Sequence, residues 1–235
     1  MAQKTFHGDE IRNGQLAVVV AEIVFSTGFL AVGGLIAEIS ESAAWLGTLL
    51  GAIDGLIVAW LCGMLVSRHP GKDLSAIADE VLPKAMSRLI SLSFAAYCIW
   101  LLDVGSRQFI LAIWIPFLES ASPLTLALIM SAIIIYGAAM GVEAIARASM
   151  VFFSVAVVSI ALLAGLSVPV ARFGRLLPLL GAGLPELAST AILTSSYGAE
   201  CIVALAFVSH VNEPSRVGRS MAWGVLVGMA LMSAV

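Results

Sequence analysis

The chain has 235 residues, 60% of them apolar and only 11% charged, with a formal net charge of −3; an average soluble domain carries roughly a quarter charged residues. A soluble globular domain is excluded. So are a disordered chain and a nucleic-acid binder, because no cluster of Lys and Arg forms a phosphate-binding stripe, which leaves the lipid bilayer as the solvent.

Charge-poor apolar stretches occupy residues 16–36, 43–66, 89–115, 124–140, 148–168, 187–208 and 221–235. Most approach the ~20 residues a helix needs to cross hydrocarbon, and the ten-residue alternation of a membrane barrel is missing, so the expected fold is an all-α polytopic bundle. The first stretch carries Glu22 and is followed by Glu38 and Glu41 without a small-residue cleavage site, so it reads as a retained helix and not a signal peptide. Between the second and third stretches, Pro70-Gly71-Lys72-Asp73 reads as a turn, and Leu74, Ile77, Ala78 and Val81 predict a short interfacial helix ending before Pro83. Residues 169–186, with Arg172, Arg175, Pro178 and Pro185, read as a broken surface helix on the other side. The seventh stretch stops after fifteen residues at Val235, and the expectation is six complete spans and one cut short, as in a fragment or truncated product. Nine of the twelve Lys and Arg fall in loops on one side, against Arg172 and Arg175 on the other, which predicts a cytoplasmic N-terminus.

Polar chemistry concentrates in a few spans. The first reads Glu22-Ile23-Val24-Phe25-Ser26-Thr27-Gly28 near mid-depth, and the sixth reads Thr194-Ser195-Ser196-Tyr197-Gly198-Ala199-Glu200. Paired Gly-containing interruptions point to a transporter-like inverted repeat whose unwound backbone lines a midplane ligand site. The alternative is packing: Ser and Thr bond back to the preceding turn and Gly admits a neighbouring helix. Glu200 has three readings: binding a ligand ammonium group, joining Ser26 or Thr27 in a polar network, or capping the second half-helix. Asp103 and Arg107 are four residues apart on one face of the third span, and the cost of ionised groups in lipid predicts that they face the bundle interior as a functional or purely structural pair. Glu22 and Asp54 lack an obvious partner, so each is an ion or proton site or a group kept neutral. Cys62, Cys98 and Cys201 read as small hydrophobes, and His7, His69 and His210 as scattered interfacial residues; no metal site or cofactor is expected. No zinc-protease, hydrolase or Walker motif appears, so an enzyme is not expected.

Four stretches together resemble the spore-germination permease family, the B subunits of nutrient germinant receptors. Ser67-Arg68-His69-Pro70-Gly71-Lys72-Asp73-Leu74 is similar to its "SRFPGKTL" loop, and Gly141-Val142-Glu143-Ala144-Ile145-Ala146-Arg147 to its "KGIEVIAR" segment. Leu176-Leu177-Pro178-Leu179-Leu180 with Gly183 resembles its "LLPVL..G" stretch, and Glu200 followed by Asn212-Glu213-Pro214 its "E...F....V.DP" pattern. The resemblance implies a fold like that of amino acid, polyamine and organocation transporters: ten helices in a LeuT-like five-plus-five inverted repeat. About seven are expected here, with residues 1–168 as the first repeat and 169–235 opening the second, in a single membrane domain. It further implies a subunit of a spore inner membrane or cell membrane complex, with an A subunit and a lipoprotein C subunit as partners, that binds a small germinant such as an amino acid. Ser26, Thr27, Gly28, Ser196, Tyr197, Gly198 and Glu200 would hold the ligand, and Glu22, Asp54, Asp103 and Arg107 would form a polar network or ion path. The chain departs from the family at Ser209-His210-Val211, where many relatives have "LPYV", and by an extra residue in Tyr197-Gly198-Ala199-Glu200. An amino acid permease of the same superfamily and a ligand-free structural subunit are the alternatives.

Overall fold

The structure, a computed structural model, describes residues 10–170 and 183–234, with the backbone alone at 30–33 and 170. The described chain is helical: α1 (Asn13–Ser40), α2 (Ala44–Arg68), α3 (Leu74–Val81), α4 (Lys84–Phe117), α5 (Pro123–Met140), α6 (Val142–Ser167), α7 (Leu184–Ala199) and α8 (Val217–Ser233), with short 3-10 segments between. Among the described residues, four stretches are long and apolar enough to cross a bilayer: Gly34–Arg68, which takes in α2, then Lys84–Phe117, Pro123–Met140 and Val142–Ser167. Arg172, Arg175 and the 176–180 motif lie outside the described residues, as do His7 and the chain end at Val235.

The short helix between the second and third stretches falls where the spacing predicts it. Gly71 takes φ +75, a conformation that costs glycine little, and the Asp73 carboxylate caps α3 by accepting from the Ala76 N–H at 2.7 Å. Ile77 and Ala78 are buried, while Glu80 reaches back to accept from Lys72 Nζ at 2.6 Å and meets His69 Nδ1 at 2.9 Å. Ser87 of α4 hydrogen-bonds Asp79, tying the two helices together. His69, expected as a solvated residue, is therefore part of a staple that ties the end of α2 to α3.

Helices α1, α2, α7 and α8 form the packed unit: the most extensive contacts are α2 with α7, α1 with α8, and α2 with α8. In lipid the hydrophobic effect does not separate one apolar side chain from another, so close packing of small residues decides which helices meet. On α2, Gly47 lies against Thr190, Gly51 against Thr194 and Gly55 against Gly198; on α8, Gly224 lies against Val20, Gly228 against Val24, and Met232 against Gly28. Residue numbers rise together in both series, so α2 runs parallel to α7 and α8 runs parallel to α1. Gly63 meets Gly218 and Gly55 meets Val225, which makes α2 and α8 antiparallel. Val20, Val24, Ala59, Cys201, Met221 and Val225 close the core between them.

The residue pair ahead of α1 is pinned to the same end. Ile11 donates to the His210 carbonyl at 2.9 Å, and Asn212 donates back to the Ile11 carbonyl at 3.1 Å, so α1 and α8 set out side by side. Helices α4, α5 and α6 pack around this unit with little burial: Ser87 in α4, none in α5, and Ala146 with Ser149 in α6.

One expectation fails here. The first span is not interrupted at residues 22–28: α1 is a single α-helix from Asn13 to Ser40. Thr27 and Ser26 hydroxyls donate to the Ile23 carbonyl at 2.9 and 3.4 Å, and Gly28 makes room for the Met232 thioether. These contacts leave the helix continuous and admit a neighbouring helix, as such residues do in membrane helices.

Candidate functional site

The sixth span does change. Helix α7 ends at Ala199, where the Glu200 N–H reaches the Tyr197 and Gly198 carbonyls, and residues Glu200–Ala206 continue as a 3-10 helix. Runs of this kind longer than three or four residues are uncommon, and within a longer helix they often mark a functional hinge. A seven-residue run directly continuing α7 is therefore the local irregularity around which a site can be built.

Glu200 sits at that joint, 8% exposed, with Oε2 2.6 Å from Thr27 Oγ1 on the antiparallel helix α1. Of its three sequence readings, the structure realises the network with Thr27; no side-chain cap is made at the start of the 3-10 run. Tyr97 of α4 and Tyr197 of α7 stand near the same carboxyl. Beside this bridge a cavity of about 440 Å³ opens between α1, α4, α5 and the joint, with Ser26, Thr27, Cys98, Ser106, Phe109 and Glu200 among its walls. Its size falls in the range of small-molecule sites, and its few polar groups stand in an otherwise apolar lining.

A second cavity of about 780 Å³ lies between α4 and α5, and holds Asp103, Arg107 and Ser131. Leu102, Ser106, Met130 and Ile134 line both cavities, so they share a wall. Arg107 Nη2 lies 3.4 Å from Asp103 Oδ2, yet the two side chains are 73% and 66% exposed. That corrects the expectation of a pair facing the bundle interior. Among the described helices α4 is peripheral, with Ile99 and Trp100 exposed on the same stretch, and its charged face looks into the α4/α5 gap.

Of the other expected site residues, Ser26 lines the inner cavity. Gly28 faces Met232 and the Tyr197 ring, Gly198 is packed against Gly55 of α2, and Ser196 is exposed with its hydroxyl bonded to the Leu193 carbonyl at 2.8 Å. The structure thus brings Thr27 to Glu200 and leaves both glycines in helix contacts. Glu22 has a partner after all, the Ser149 hydroxyl of α6, while Asp54 is exposed on α2 beside Ile53. Sequence reasoning missed Cys98, Ser106, Phe109 and Met130. Only Ser106 offered a signal, since it lies between Asp103 and Arg107 on their helix face.

A family model described as "Spore germination protein" matches residues 10–235. The chain is 21% identical over 217 residues to the Spore germination protein YndE of Bacillus subtilis (strain 168), covering 92% of this chain and 60% of that relative. No solved structure matches the chain.

Proposed function

The chain belongs to the spore germination protein family, and from that premise we propose that it acts as a membrane subunit of a nutrient germinant receptor, binding a small germinant and relaying that binding as a conformational signal. The family is one of transporter-like and receptor-like membrane proteins, so the reading is of a binding subunit and not of an enzyme. The observation that carries the reading is the Thr27–Glu200 bridge, which forms one wall of a cavity of small-molecule size at the point where α7 gives way to a 3-10 helix. Ser26, Thr27, Ser106 and Glu200 supply the polar contacts; Gly28 and Gly198 let α8 and α2 approach, with Ser196 and Tyr197 flanking. Of the expected polar network, Asp103 and Arg107 stand in the neighbouring cavity, while Glu22 pairs with Ser149 of α6 and Asp54 is exposed on α2. A tight joint held to α1 by one hydrogen bond is a suitable two-state element for passing occupancy outward.

The packed unit supports an inverted repeat. The α2 against α7 series and the α8 against α1 series both advance by four residues, and exchanging α1 with α7 and α2 with α8 carries one series onto the other. The antiparallel contacts are consistent with the same exchange: Thr27 to Glu200 between α1 and α7, Gly63 to Gly218 between α2 and α8. That is the relation expected if residues 1–168 form a first repeat and 169–235 begin a second with opposite orientation. The start of α1 is read as cytoplasmic on the loop charges, and the A subunit and lipoprotein C subunit as partners on the family resemblance. The chain spans 60% of the length of the curated relative, so the activity of a whole receptor subunit is part of this proposal.

The test is nutrient binding and flux in proteoliposomes holding the purified protein. Saturable binding of an amino acid without uptake supports a sensing subunit. Coupled uptake identifies a permease. A thermal midpoint unmoved by any nutrient identifies a structural subunit, because a ligand of the folded state must stabilise it.

A further inference from the structure

The Thr27 hydroxyl stands between two oxygen acceptors. Its Oγ1 is 2.9 Å from the Ile23 carbonyl oxygen and 2.6 Å from Glu200 Oε2. A hydroxyl carries one hydrogen and a backbone carbonyl none. Were Glu200 a carboxylate, one of these two short oxygen contacts would hold no proton. A carboxylic acid satisfies both: Glu200 donates to Thr27 Oγ1, and Thr27 donates to Ile23.

Among the described residues, no cation stands at Glu200 to replace that proton. The groups near Glu200 are Ser26 and Thr27 from α1, Tyr97 and Cys98 from α4, and Tyr197 from α7; Cys201 of its own segment turns its thiol to the Gly55 carbonyl of α2, with Asp54 on that side. Among the described residues no Lys, Arg or His lines the inner cavity; Arg107 stands in the neighbouring one, paired with Asp103. A buried acid with a cavity beside it and no built-in cation is a place for a cation that arrives from outside.

We propose that Glu200 holds a proton in the empty site and exchanges it for the ammonium group of the ligand. In that step the Glu200 O–H bond breaks and its proton leaves to water. The carboxylate so formed pairs with R–NH3+, and the Thr27 hydrogen swings from Ile23 to the carboxylate. One positive charge enters and one leaves, so the site remains uncharged in its membrane setting. The recognised class is a primary ammonium compound with an apolar body, whether an amino acid or a simple amine. This rests on the reading of the cavity as the binding site.

The experiment is infrared difference spectroscopy on the purified protein in detergent, comparing wild type with Glu200→Gln. At neutral pH the wild type is expected to show a carboxylic C=O stretch that the variant lacks, shifted in Thr27→Val by loss of its acceptor. L-Valine and isobutylamine are then titrated, since they share the ammonium group and differ in the carboxylate. Loss of the band as either probe binds, with affinity rising about tenfold per pH unit in wild type and flat in Glu200→Gln, supports the exchange. Response to both probes assigns the ammonium alone; response to L-valine only adds a need for the carboxylate. Absence of the band at neutral pH overturns the inference whatever binds. A band that persists while a probe binds overturns the exchange and leaves the cavity as a binding site. If neither probe nor any nutrient shifts the thermal midpoint, the exchange and the functional reading both fall, although the band still reports the bound proton.

Discussion

Helices α1, α2, α7 and α8 and helices α4, α5 and α6 are built from similarly apolar sequences, yet the first group is close-packed and the second leaves large side chains such as Phe117, Tyr136, Phe152 and Leu166 exposed. The difference lies in where the glycines are. A Cβ added to Gly55 would sit 2.6 Å from the Gly198 carbonyl oxygen, whereas Gly105 of α4, Gly137 of α5 and Gly165 of α6 have nothing within 4 Å. Among helices that all like lipid, small residues in register choose partners and hydrophobicity does not. The candidate site lies where the two groups meet, with its hydrogen-bonded wall in the packed group and its open wall in the other.

The strongest way to break this comparison is to crowd the packed group. Gly55→Val places a side chain against backbone that cannot give, and is expected to cost about 3 kcal/mol or prevent assembly altogether. Gly105→Ala and Gly137→Ala are expected to be neutral or to stabilise by up to about 1 kcal/mol, since each meets open space and alanine suits a helix better. Thermal unfolding in detergent checks all three, and a tolerated Gly55→Val alongside a damaging Gly137→Ala would reverse the assignment of the two groups.

Next in size is the bridge between α1 and the joint. Thr27→Val keeps the shape and removes the hydroxyl between Ile23 and Glu200, so about 1–2 kcal/mol should be lost, near the upper end of interhelical hydrogen bonds in membranes. If the variant unfolds at the wild-type temperature, Glu200 does not depend on Thr27. At the other end of the same two helices, Ser40 donates to the Glu186 carbonyl at 2.9 Å and meets the Thr190 hydroxyl, with the Ser40 and Thr190 residues themselves buried. Ser40→Ala is expected to cost about 1 kcal/mol, less than Thr27→Val because no carboxyl loses its partner.

What was legible in the sequence follows from the same physics. Helix existence and α3 were readable because apolar length, the turn at Pro70-Gly71-Lys72-Asp73 and the spacing of Leu74, Ile77, Ala78 and Val81 are local signals. The family was readable because motifs such as residues 67–74 carry a local fold, here the Glu80 staple. Gly47, Gly51 and Gly55, four residues apart, announced the packed face of α2 and went unread. The supposed break at residues 22–28 was misread because Ser, Thr and Gly look the same whether they unwind a helix or fill its contacts, and only the facing Met232 and Ile23 decide between them. The Asp103–Arg107 pair was misplaced for a related reason, since the cost of charge in lipid says that a charge needs cover without saying which helix supplies it.

The smallest expected effect belongs to the region outside the bilayer, where neither glycines nor lipid decide anything. Glu80 is held below the usual carboxylate value of 4.5, first by the hydrogen bond from Lys72 and then by that with His69. A carboxyl lowered on folding adds stability that is present above its unfolded value and is lost as pH falls through the folded one. The docking of α3 should therefore be unchanged from neutral pH down to about 5 and weaken only in more acid solution. Amide exchange over Leu74–Val81, followed from about pH 6 to about pH 3.5 after correction for intrinsic rates, is the measurement. Glu80→Gln should start with weaker protection and show a smaller change across that window, because its amide has no charge to lose. Since Glu80 is solvent-exposed, the effect should stay within α3 and leave the global thermal midpoint in place. A midpoint that fell with Glu80→Gln would mean that the loop braces the packed helices, and that the division between glycine-held and charge-held regions is drawn in the wrong place.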